Sequence, residues 1–234
     1  MKISVIHPSR NRPVEAWVTA TNWAKKCDSG FEYILSLDIS DKDLTKYYAL
    51  FTDFNKSWNI NGKSLTNGNK SAIEAINNAA KIATGDLLVV ISDDFDCPEH
   101  WDTLLLQACK NYRSSRFSKD FCMKTDDGLQ PTLITMPIMD RIYYERYGYV
   151  YHPDYKHMFA DQELTAVALM TGKYIKSDLN FPHLHYSTGK SPKDEINVKN
   201  DLTWKQGETL FNERLKTNFG ITEPVMQYSD IKWR

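Results

Sequence analysis

The sequence has no long apolar run. No stretch approaches the roughly 18 residues that a membrane-spanning helix requires. The apolar run at the N-terminus is too short for a signal peptide and is typical of a strand. The four cysteines have neither CxxC nor framework spacing, which is typical of reduced cysteines. We therefore predict a cytoplasmic protein without a transmembrane segment.

Glycine-rich phosphate loops are also missing. Neither GxGxxG nor GxxxxGK[ST] follows a predicted strand, so dinucleotide and P-loop sites lose their main support. Neither sign of charge is in excess, because the chain has 29 Lys and Arg residues against 30 Asp and Glu residues and a net charge of −1. Free nucleic acid is therefore not the obvious partner, and binding it would require a local basic patch.

Strand and helix patterns alternate along the first half of this 234-residue chain. The predicted strands are residues 2–7, 31–37 and 86–91. The first predicted helix starts at Pro13, with apolar or small residues at helical spacing: Val14, Trp17, Val18, Thr21 and Ala24. The second starts at the capping box Ser71-Ala72-Ile73-Glu74. The third starts at Pro98, with Trp101, Leu104, Leu105 and Ala108 facing inward. This order predicts an α/β fold with a mainly parallel central sheet flanked by helices.

Loops and further elements complete the predicted layout. Residues 55–70 and 114–131 are predicted loops, 132–139 a strand, 161–171 a helix, a short strand begins at Tyr174, and an amphipathic helix runs from Trp204 to near Gly220. Residues 187–202 are charged and rich in turn residues, which predicts a mobile segment. We expect one main domain over 1–185, with 186–234 adding that segment and a C-terminal helical tail packed on the same domain.

An acidic cluster follows the most apolar predicted strand. Ser92-Asp93-Asp94-Phe95-Asp96 comes directly after residues 86–91, and its three carboxylates repel one another. A divalent cation relieves that repulsion, and carboxylates are the ligands that Mg2+, Mn2+ and Ca2+ prefer. The carboxyl edge of a parallel sheet is also where open α/β folds bind ligands. The alternative is that Asp96 caps a helix near Pro98 while Asp93 and Asp94 are solvated.

Several features occur in one order along residues 1–185. They are a strand running into Pro8-Ser9-Arg10-Asn11-Arg12, a strand ending at Asp38, a helix closing in Ala83-Thr84-Gly85-Asp86, a buried strand entering Asp93-Asp94, and a later Asp161-Gln162-Glu163-Leu164. In this order the chain resembles the GT-A fold glycosyltransferases, and most closely their family 2 inverting enzymes. The family's acidic pair is D-x-D, whereas this chain has Ser92-Asp93-Asp94.

The resemblance implies roles for the carboxylates. Asp94 would be the primary ligand of a divalent cation, Mn2+ or Mg2+, assisted by Asp96 or Asp93. Asp161 would be the base that takes the proton from the acceptor hydroxyl, with Glu163 as second choice. The alternative is that Asp161 is an ordinary N-cap and Glu163 complements the helix dipole.

Two histidines flank Leu184. In an extended segment His183 and His185 point to the same face, and the resemblance implies that one of them completes the metal site. The alternative is a pair of partly exposed histidines bonded to the loop backbone.

The remaining candidates would hold the nucleotide donor. The resemblance assigns Asp38 to the nucleobase or ribose. The turn of Pro8, Arg10, Asn11 and Arg12, together with Lys70 and Asp93, would line the same pocket. Lys190 or Lys193 would reach the diphosphate when residues 187–202 close. The alternative for Asp38 and the turn is that they are ordinary solvated turn residues.

The predicted function is transfer of a sugar from a nucleotide sugar, with a UDP-sugar favoured, to an acceptor hydroxyl with inversion. The acceptor stays open among a glycan, a lipid-linked intermediate, a protein and a modified DNA base. Two other classes are a metal-dependent nucleotidyltransferase and a non-catalytic nucleotide- or carbohydrate-binding module.

Overall fold

Strands and helices alternate along most of the chain. The computed structural model describes residues 1–58, 60–115, 120–190, 193–223 and 225–233. The strands are β1 (Ile3–Pro8), β2 (Glu32–Asp38), β3 (Asn61–Asn67), β4 (Leu87–Val90), β5 (Cys122–Asp126), β6 (Ile138–Asp140) and β7 (Tyr174–Asn180). The helices are α1 (Pro13–Lys25), α2 (Leu44–Trp58), α3 (Ala72–Ile82), α4 (Trp101–Ser115), α5 (Arg141–Tyr147), α6 (Ala160–Met170), α7 (Glu195–Asp201) and α8 (Trp204–Leu215).

Within the described ranges, the seven strands form one sheet in the order β3-β2-β1-β4-β6-β5-β7. The first four run parallel, β6 is antiparallel to both β4 and β5, and β7 is parallel to β5. The carboxyl ends of β1, β2 and β4 therefore meet at one edge. The prediction of an α/β fold with a mainly parallel sheet is confirmed.

Each face of the sheet is covered by helices. On one face, Trp23 of α1, Phe54 of α2 and Trp101 of α4 belong to one buried apolar cluster. On the other face, α3, α5, α6 and α8 contribute to a second cluster, which contains Tyr143 and Phe211. Burial of one such side chain contributes about 1.5–3 kcal/mol, so both layers stabilise the sheet.

The capping box at Ser71 forms as predicted, with one difference. Ser71 Oγ accepts a hydrogen bond from Glu74 N at 3.1 Å, while the Glu74 carboxylate accepts from Lys70 N at 2.6 Å. Helix α3 ends at Ile82, before the predicted stop at Gly85. Gly85 lies instead beside β1, where a Cβ atom would be 2.7 Å from Ser4 N. The glycine therefore permits a close approach of two chain segments.

Three of the five residues in the predicted apolar stripe of α1 face outward, whereas Ala24 is buried. Val14, Trp17 and Val18 are 46%, 37% and 52% exposed, whereas Trp23 is fully buried. The stripe was misjudged because the buried face is built from small residues between its members, Ala16 and Ala20 among them.

Helix α4 begins at Trp101 rather than Pro98, because His100 has a left-handed backbone with φ of 60°. Leu104, predicted to point inward, is 40% exposed. The apolar spacing located this helix but not its first residue.

Both predicted loops contain a strand. Residues 61–67 pair along their whole length with β2, so this part of the 55–70 loop prediction is wrong, and 55–58 end α2. Polar side chains fit there because β3 is the edge strand. Residues 122–126 form β5, which corrects the 114–131 loop, whose positions 116–119 lie outside the described residues.

The predicted strand 132–139 is mostly irregular. Only Ile138–Asp140 pair with neighbours. Thr135 N donates to Leu133 O in a tight turn, and Pro137 has no N–H to give to a ladder. The apolar alternation was therefore misleading in this segment.

The C-terminal region packs on the second face of the sheet. Helix α8 ends at Leu215, earlier than predicted, and Phe211 and Phe219 belong to the buried cluster there. Trp204, predicted on the apolar face of this helix, is 53% exposed. The expected mobility of 187–202 stays a prediction. In the described part of that segment α7 is capped at its N-terminus, and residues 191–192 lie outside the described residues. No helix in the described part of the chain is long and apolar enough to cross a membrane.

Candidate active site

Asp94 and His183 meet at the exit of β4. Asp94 Oδ2 lies 3.2 Å from His183 Nε2. Backbone bonds hold the two segments together, because Leu184 N donates to Asp94 O at 2.8 Å and Asp96 N donates to Pro182 O at 2.9 Å. This pairing fixes the distance between the carboxylate and the imidazole.

The Asp94 carboxylate is strongly acidic. Burial alone would raise its pKa, but the hydrogen bond and charge of His183, the hydroxyl of Ser92 and the charge of Arg12 together lower the pKa to about 2. Asp94 is therefore ionised at any physiological pH, as a metal ligand must be.

The two histidines differ in their surroundings. The ring of His183 stacks on Phe95, with centroids 4.1 Å apart, and its Nδ1 is buried without a hydrogen-bond partner in the described structure. The ring of His185 lies 5.0 Å from that of His183, and its Nδ1 is 2.8 Å from Ser187 Oγ. Of the two, His183 is the one in contact with Asp94.

Asp93 turns into the protein. Its side chain is 7% exposed, and Oδ1 lies 2.9 Å from Nε2 of the fully buried His7. His7 Nδ1 is in turn 2.7 Å from the Tyr33 hydroxyl. The geometry therefore makes Asp93 an anchor of the strand exit, with its carboxylate engaged by β1.

Asp96 faces α1. Its carboxylate lies 2.8 Å from Lys26 Nζ and also accepts from Asn22. It is not the N-cap of α4, which starts further on. The three carboxylates of the cluster thus diverge. In the described residues, no group of three or more His, Cys, Asp or Glu side chains is arranged to hold a metal ion.

Two of the residues predicted to hold the nucleotide donor meet where β1 and β2 end. Arg10 Nη1 lies 3.2 Å from Asp38 Oδ2, and Ser40 N donates to Asp38 Oδ1 at 2.8 Å. Burial would raise the pKa of Asp38, but these hydrogen bonds and the arginine charge lower it overall. Asn11 has φ of 57° and donates its N–H to Asp41 at 2.7 Å, which shapes the turn after Pro8.

Three further basic candidates, Arg12, Lys70 and Lys190, have different environments. Arg12 is held by Asp194 and lies 3.8 Å from Asp93. Lys70 and Lys190 are exposed, and neither side chain has a partner in the described part of the chain. Of these three, Arg12 is the one whose side chain is held in place by the fold, as Arg10 is by Asp38.

Asp161 lies in the first turn of α6. It is half-buried, and its side chain accepts a hydrogen bond from Gln162 N at 3.0 Å. Burial raises the pKa of Asp161 to about 6, although these amides and the charge of His183 oppose the shift. Phe159, not Asp161, occupies the N-cap position, so the N-cap alternative is wrong.

The backbone before α6 is strained. Phe159 has φ of 70°, which is unusual for a bulky residue. Helix α8 packs close to this turn, since a Cβ atom on Gly207 would lie 2.3 Å from Met158 O. A glycine in α8 therefore helps to set where α6 begins and where Asp161 lies.

Glu163 has a different environment from Asp161. It is 3% exposed and forms a two-point ion pair with Arg214, with N–O distances of 2.7 and 2.8 Å. The Tyr155 hydroxyl donates to it at 2.9 Å. Its oxygens are therefore already used within the protein.

Three further residues interact with this site and were not predicted from the sequence. They are His7, Asp194 and His157. Burial lowers the pKa of His157 to about 4, and it interacts electrostatically with Asp201, His185 and Asp94. The sequence signal for Asp194 was its capping position before α7, whereas a single histidine such as His7 or His157 gave no signal.

The possible ligand atoms at the end of β4 suit a divalent cation. One carboxylate oxygen and one imidazole nitrogen 3.2 Å apart could bind the same ion if the imidazole is neutral. Mg2+ commonly uses one or two protein ligands together with substrate phosphates and water. Two protein ligands are therefore enough where a diphosphate supplies the others.

No protein-family model matches the chain, and no curated protein matches it. Among solved structures it is similar to TarS of S. aureus, with 15% identity, a TM-score of 0.58, and coverage of 78% of this chain and 36% of that one. It is also similar to the mannosyltransferase PcManGT from Pyrobaculum calidifontis in complex with GDP-Man and Mn2+, with 15% identity, a TM-score of 0.57, and coverage of 76% and 55%.

A TarS structure in complex with UDP-GlcNAc is similar as well, with 18% identity, a TM-score of 0.53, and coverage of 72% of this chain and 53% of that one. The chain spans between 36% and 55% of the length of these structures. The protein therefore has a GT-A-like glycosyltransferase fold, as the order of its motifs predicted. Fold similarity at this level of identity does not carry the activity.

Proposed function

We propose that the protein is a metal-dependent, inverting glycosyltransferase that uses a nucleotide sugar. The observation that carries the proposal is the contact of Asp94 with His183 at the carboxyl edge of a GT-A-like sheet, with Asp161 near enough to feel the charge of His183. In the proposed inverting transfer, a metal ion would stabilise the leaving diphosphate and a carboxylate base would take the acceptor proton.

The proposed donor is a nucleoside diphosphate sugar, with a UDP-sugar favoured. Support comes from Arg10 and Asp38 at the ends of β1 and β2, and from Arg12 beside the strand exit. Two similar structures contain UDP-GlcNAc and GDP-Man. Arg10, Asn11 and Pro8 would frame the nucleoside side of the pocket, and Lys70 would extend it.

Asp94 and His183 are the proposed ligands of Mn2+ or Mg2+. A cation there would act as a Lewis acid on the diphosphate leaving group. His185, bonded to Ser187, would come second to His183. We leave Asp96 out of the proposed metal site because Lys26 already neutralises it, and Asp93 because it is bonded to His7.

Asp161 is the proposed base. With a pKa of about 6 it is mostly ionised at pH 7, yet it is a stronger base than an ordinary carboxylate. It would take the proton of the acceptor hydroxyl while that oxygen attacks the sugar carbon from the side opposite the diphosphate. Glu163 is a poor candidate because Arg214 and Tyr155 hold its oxygens.

Residues 187–190 and 193–202 are proposed as a lid over the diphosphate, with Lys190 reaching it. Lys193 is a weaker candidate, because its ammonium lies 2.7 Å from Asp201 and over the ring of Tyr186. Such a lid would exclude water, which otherwise hydrolyses the donor. A cytoplasmic location is part of the proposal, supported by four free cysteines.

The experiment needs no knowledge of the acceptor, because water can replace it slowly. Protein is incubated with UDP-GlcNAc or GDP-Man and Mn2+, and NMR records which anomer of the free sugar is released first. Inversion predicts that the anomer opposite to that of the donor forms initially. Initial release of the same anomer would contradict inversion, and no release from any nucleotide sugar with or without acceptor mixtures would contradict the enzyme class.

A further inference from the structure

Arg12 joins the donor side of the sheet edge to the C-terminal segment. Its Nε donates to Asp194 Oδ2 at 2.6 Å and its Nη2 donates to Asp194 Oδ1 at 2.7 Å. The pair connects positions that are 182 residues apart in the sequence. A two-point arginine–carboxylate pair fixes the guanidinium in both place and orientation.

Asp194 has a second task in the same place. It is the N-cap of α7, where it accepts from Asn197 N at 2.9 Å, and the Asn197 side chain accepts from Asp194 N at 3.0 Å. Arg12 Nη2 also donates to Asn197 Oδ1 at 3.2 Å. The start of α7 is therefore built around the Arg12 guanidinium.

The third nitrogen of Arg12 faces the strand exit. Nη1 lies 3.8 Å from Asp93 Oδ2, which is too long for a hydrogen bond. The side chain of Arg12 is 18% exposed. One edge of the guanidinium is thus held by α7, while the other keeps donors available beside the acidic cluster.

We propose that Asp194 is a positioning residue of the donor site. It holds two nitrogens of Arg12, so that the remaining one faces the place where the donor diphosphate would lie, and it fastens α7 to the same guanidinium. This inference rests on the proposed function for the identity of the ligand, but the Arg12–Asp194 pair itself does not. Docking of α7 and binding of the diphosphate then favour each other, and by linkage the coupling acts equally in both directions.

The matched variants are Asp194→Asn and Glu195→Gln. Asparagine is as good an N-cap as aspartate, so Asp194→Asn keeps the cap but loses the charge and one of the two oxygens that accept from Arg12. Glu195→Gln makes the same charge change one residue along, at an exposed side chain with no ion pair or hydrogen bond in the described structure. Differences between the two variants report on the pair with Arg12.

Hydrogen exchange of residues 195–201 is measured first, without nucleotide. Asp194→Asn should exchange about tenfold faster than wild type, whereas Glu195→Gln, which loses only an interaction with the helix dipole, should change far less. Arg12→Lys, which keeps the charge but loses the two-point geometry, should resemble Asp194→Asn. Unchanged exchange in Asp194→Asn would overturn the inference whether or not any nucleotide binds.

Calorimetry with Mn2+ then compares UDP, GDP and uridine. Asp194→Asn should bind the nucleoside diphosphate that wild type binds about tenfold more weakly, with no change in its affinity for uridine. Glu195→Gln should not show this loss of diphosphate affinity. Equal or tighter diphosphate binding by Asp194→Asn would overturn the positioning role, since tighter binding means that Asp194 competes with phosphate. If wild type binds neither diphosphate, the proposed function fails. The hydrogen-exchange result alone then tests whether the Arg12–Asp194 pair holds α7.

Discussion

On the donor side of the sheet edge the carboxylates face cations or histidines, whereas within the described residues the Asp161 carboxylate on α6 accepts from backbone amides. Asp38 pairs with Arg10 and Asp94 with His183, and both pKa values are lowered. Asp161 has no ion pair in the described residues, and burial raises its pKa. The donor side is therefore suited to hold fixed charge, and the first turn of α6 is suited to move a proton.

Replacement of Asp161 tests this contrast most severely. Asp161→Asn keeps the shape but removes the basicity, so turnover should fall by roughly 10²–10⁴-fold while donor affinity stays within a few-fold. Glu163→Gln should lose far less turnover when the rate is divided by the amount of folded protein. Turnover of Asp161→Asn near wild type with an inactive Glu163→Gln would move the base to Glu163.

The second test concerns stability at Glu163. Glu163→Gln leaves the Arg214 guanidinium without its charged partner in a mostly buried position, so unfolding free energy should fall by about 3 kcal/mol. Urea unfolding measures the loss, and Glu145→Gln on the exposed face of α5 is the control. Equal midpoints for the two variants would show that the ion pair contributes little.

The third test uses pH. Because folding raises the pKa of Asp161 from 3.8 to about 6, its contribution to stability is complete below pH 3.8 and is lost as the pH rises through about 6. Asp161→Asn cannot titrate, so it should gain on wild type with rising pH, by about 2 kcal/mol above pH 7 after allowance for its partial exposure. Parallel unfolding curves from pH 4 to 8 would contradict the raised pKa.

In the first half of the chain the sequence predicted β1, β2, β4, α1 and α3, whose signals are local, but it predicted neither α2 nor β3. Pro13, the Ser71 capping box and the apolar run at 86–91 each mark a helix or strand without reference to the rest of the chain. Strand β3 was missed because an edge strand needs little apolar surface, and β5 because its apolar run of three is short. Strand β3 forms by pairing with β2, and β5 forms by pairing with β6 and β7. Neither pairing leaves a signal in the local sequence.

The candidate site was predicted in part for the same reason. Asp94, His183 and Asp161 stand out by composition and order, and the structure places Asp94 and His183 in contact. The directions of Asp93 and Asp96 depend on His7 and Lys26, whose contacts arise only after folding. Arg12 and Asp194 are 182 residues apart, so no local pattern indicates their pairing.

The most direct test is calorimetric titration of wild type with UDP and with GDP, in Mn2+ and in EDTA, beside Asp94→Asn and Asp96→Asn. The metal-dependent donor site predicts that wild type binds one of the diphosphates only with Mn2+. Asp94→Asn should lose at least about tenfold in affinity, and Asp96→Asn should keep it because Lys26 holds that carboxylate away from the site. Equal affinity in Mn2+ and EDTA, or equal effects of the two variants, would contradict a metal-assisted donor site at Asp94.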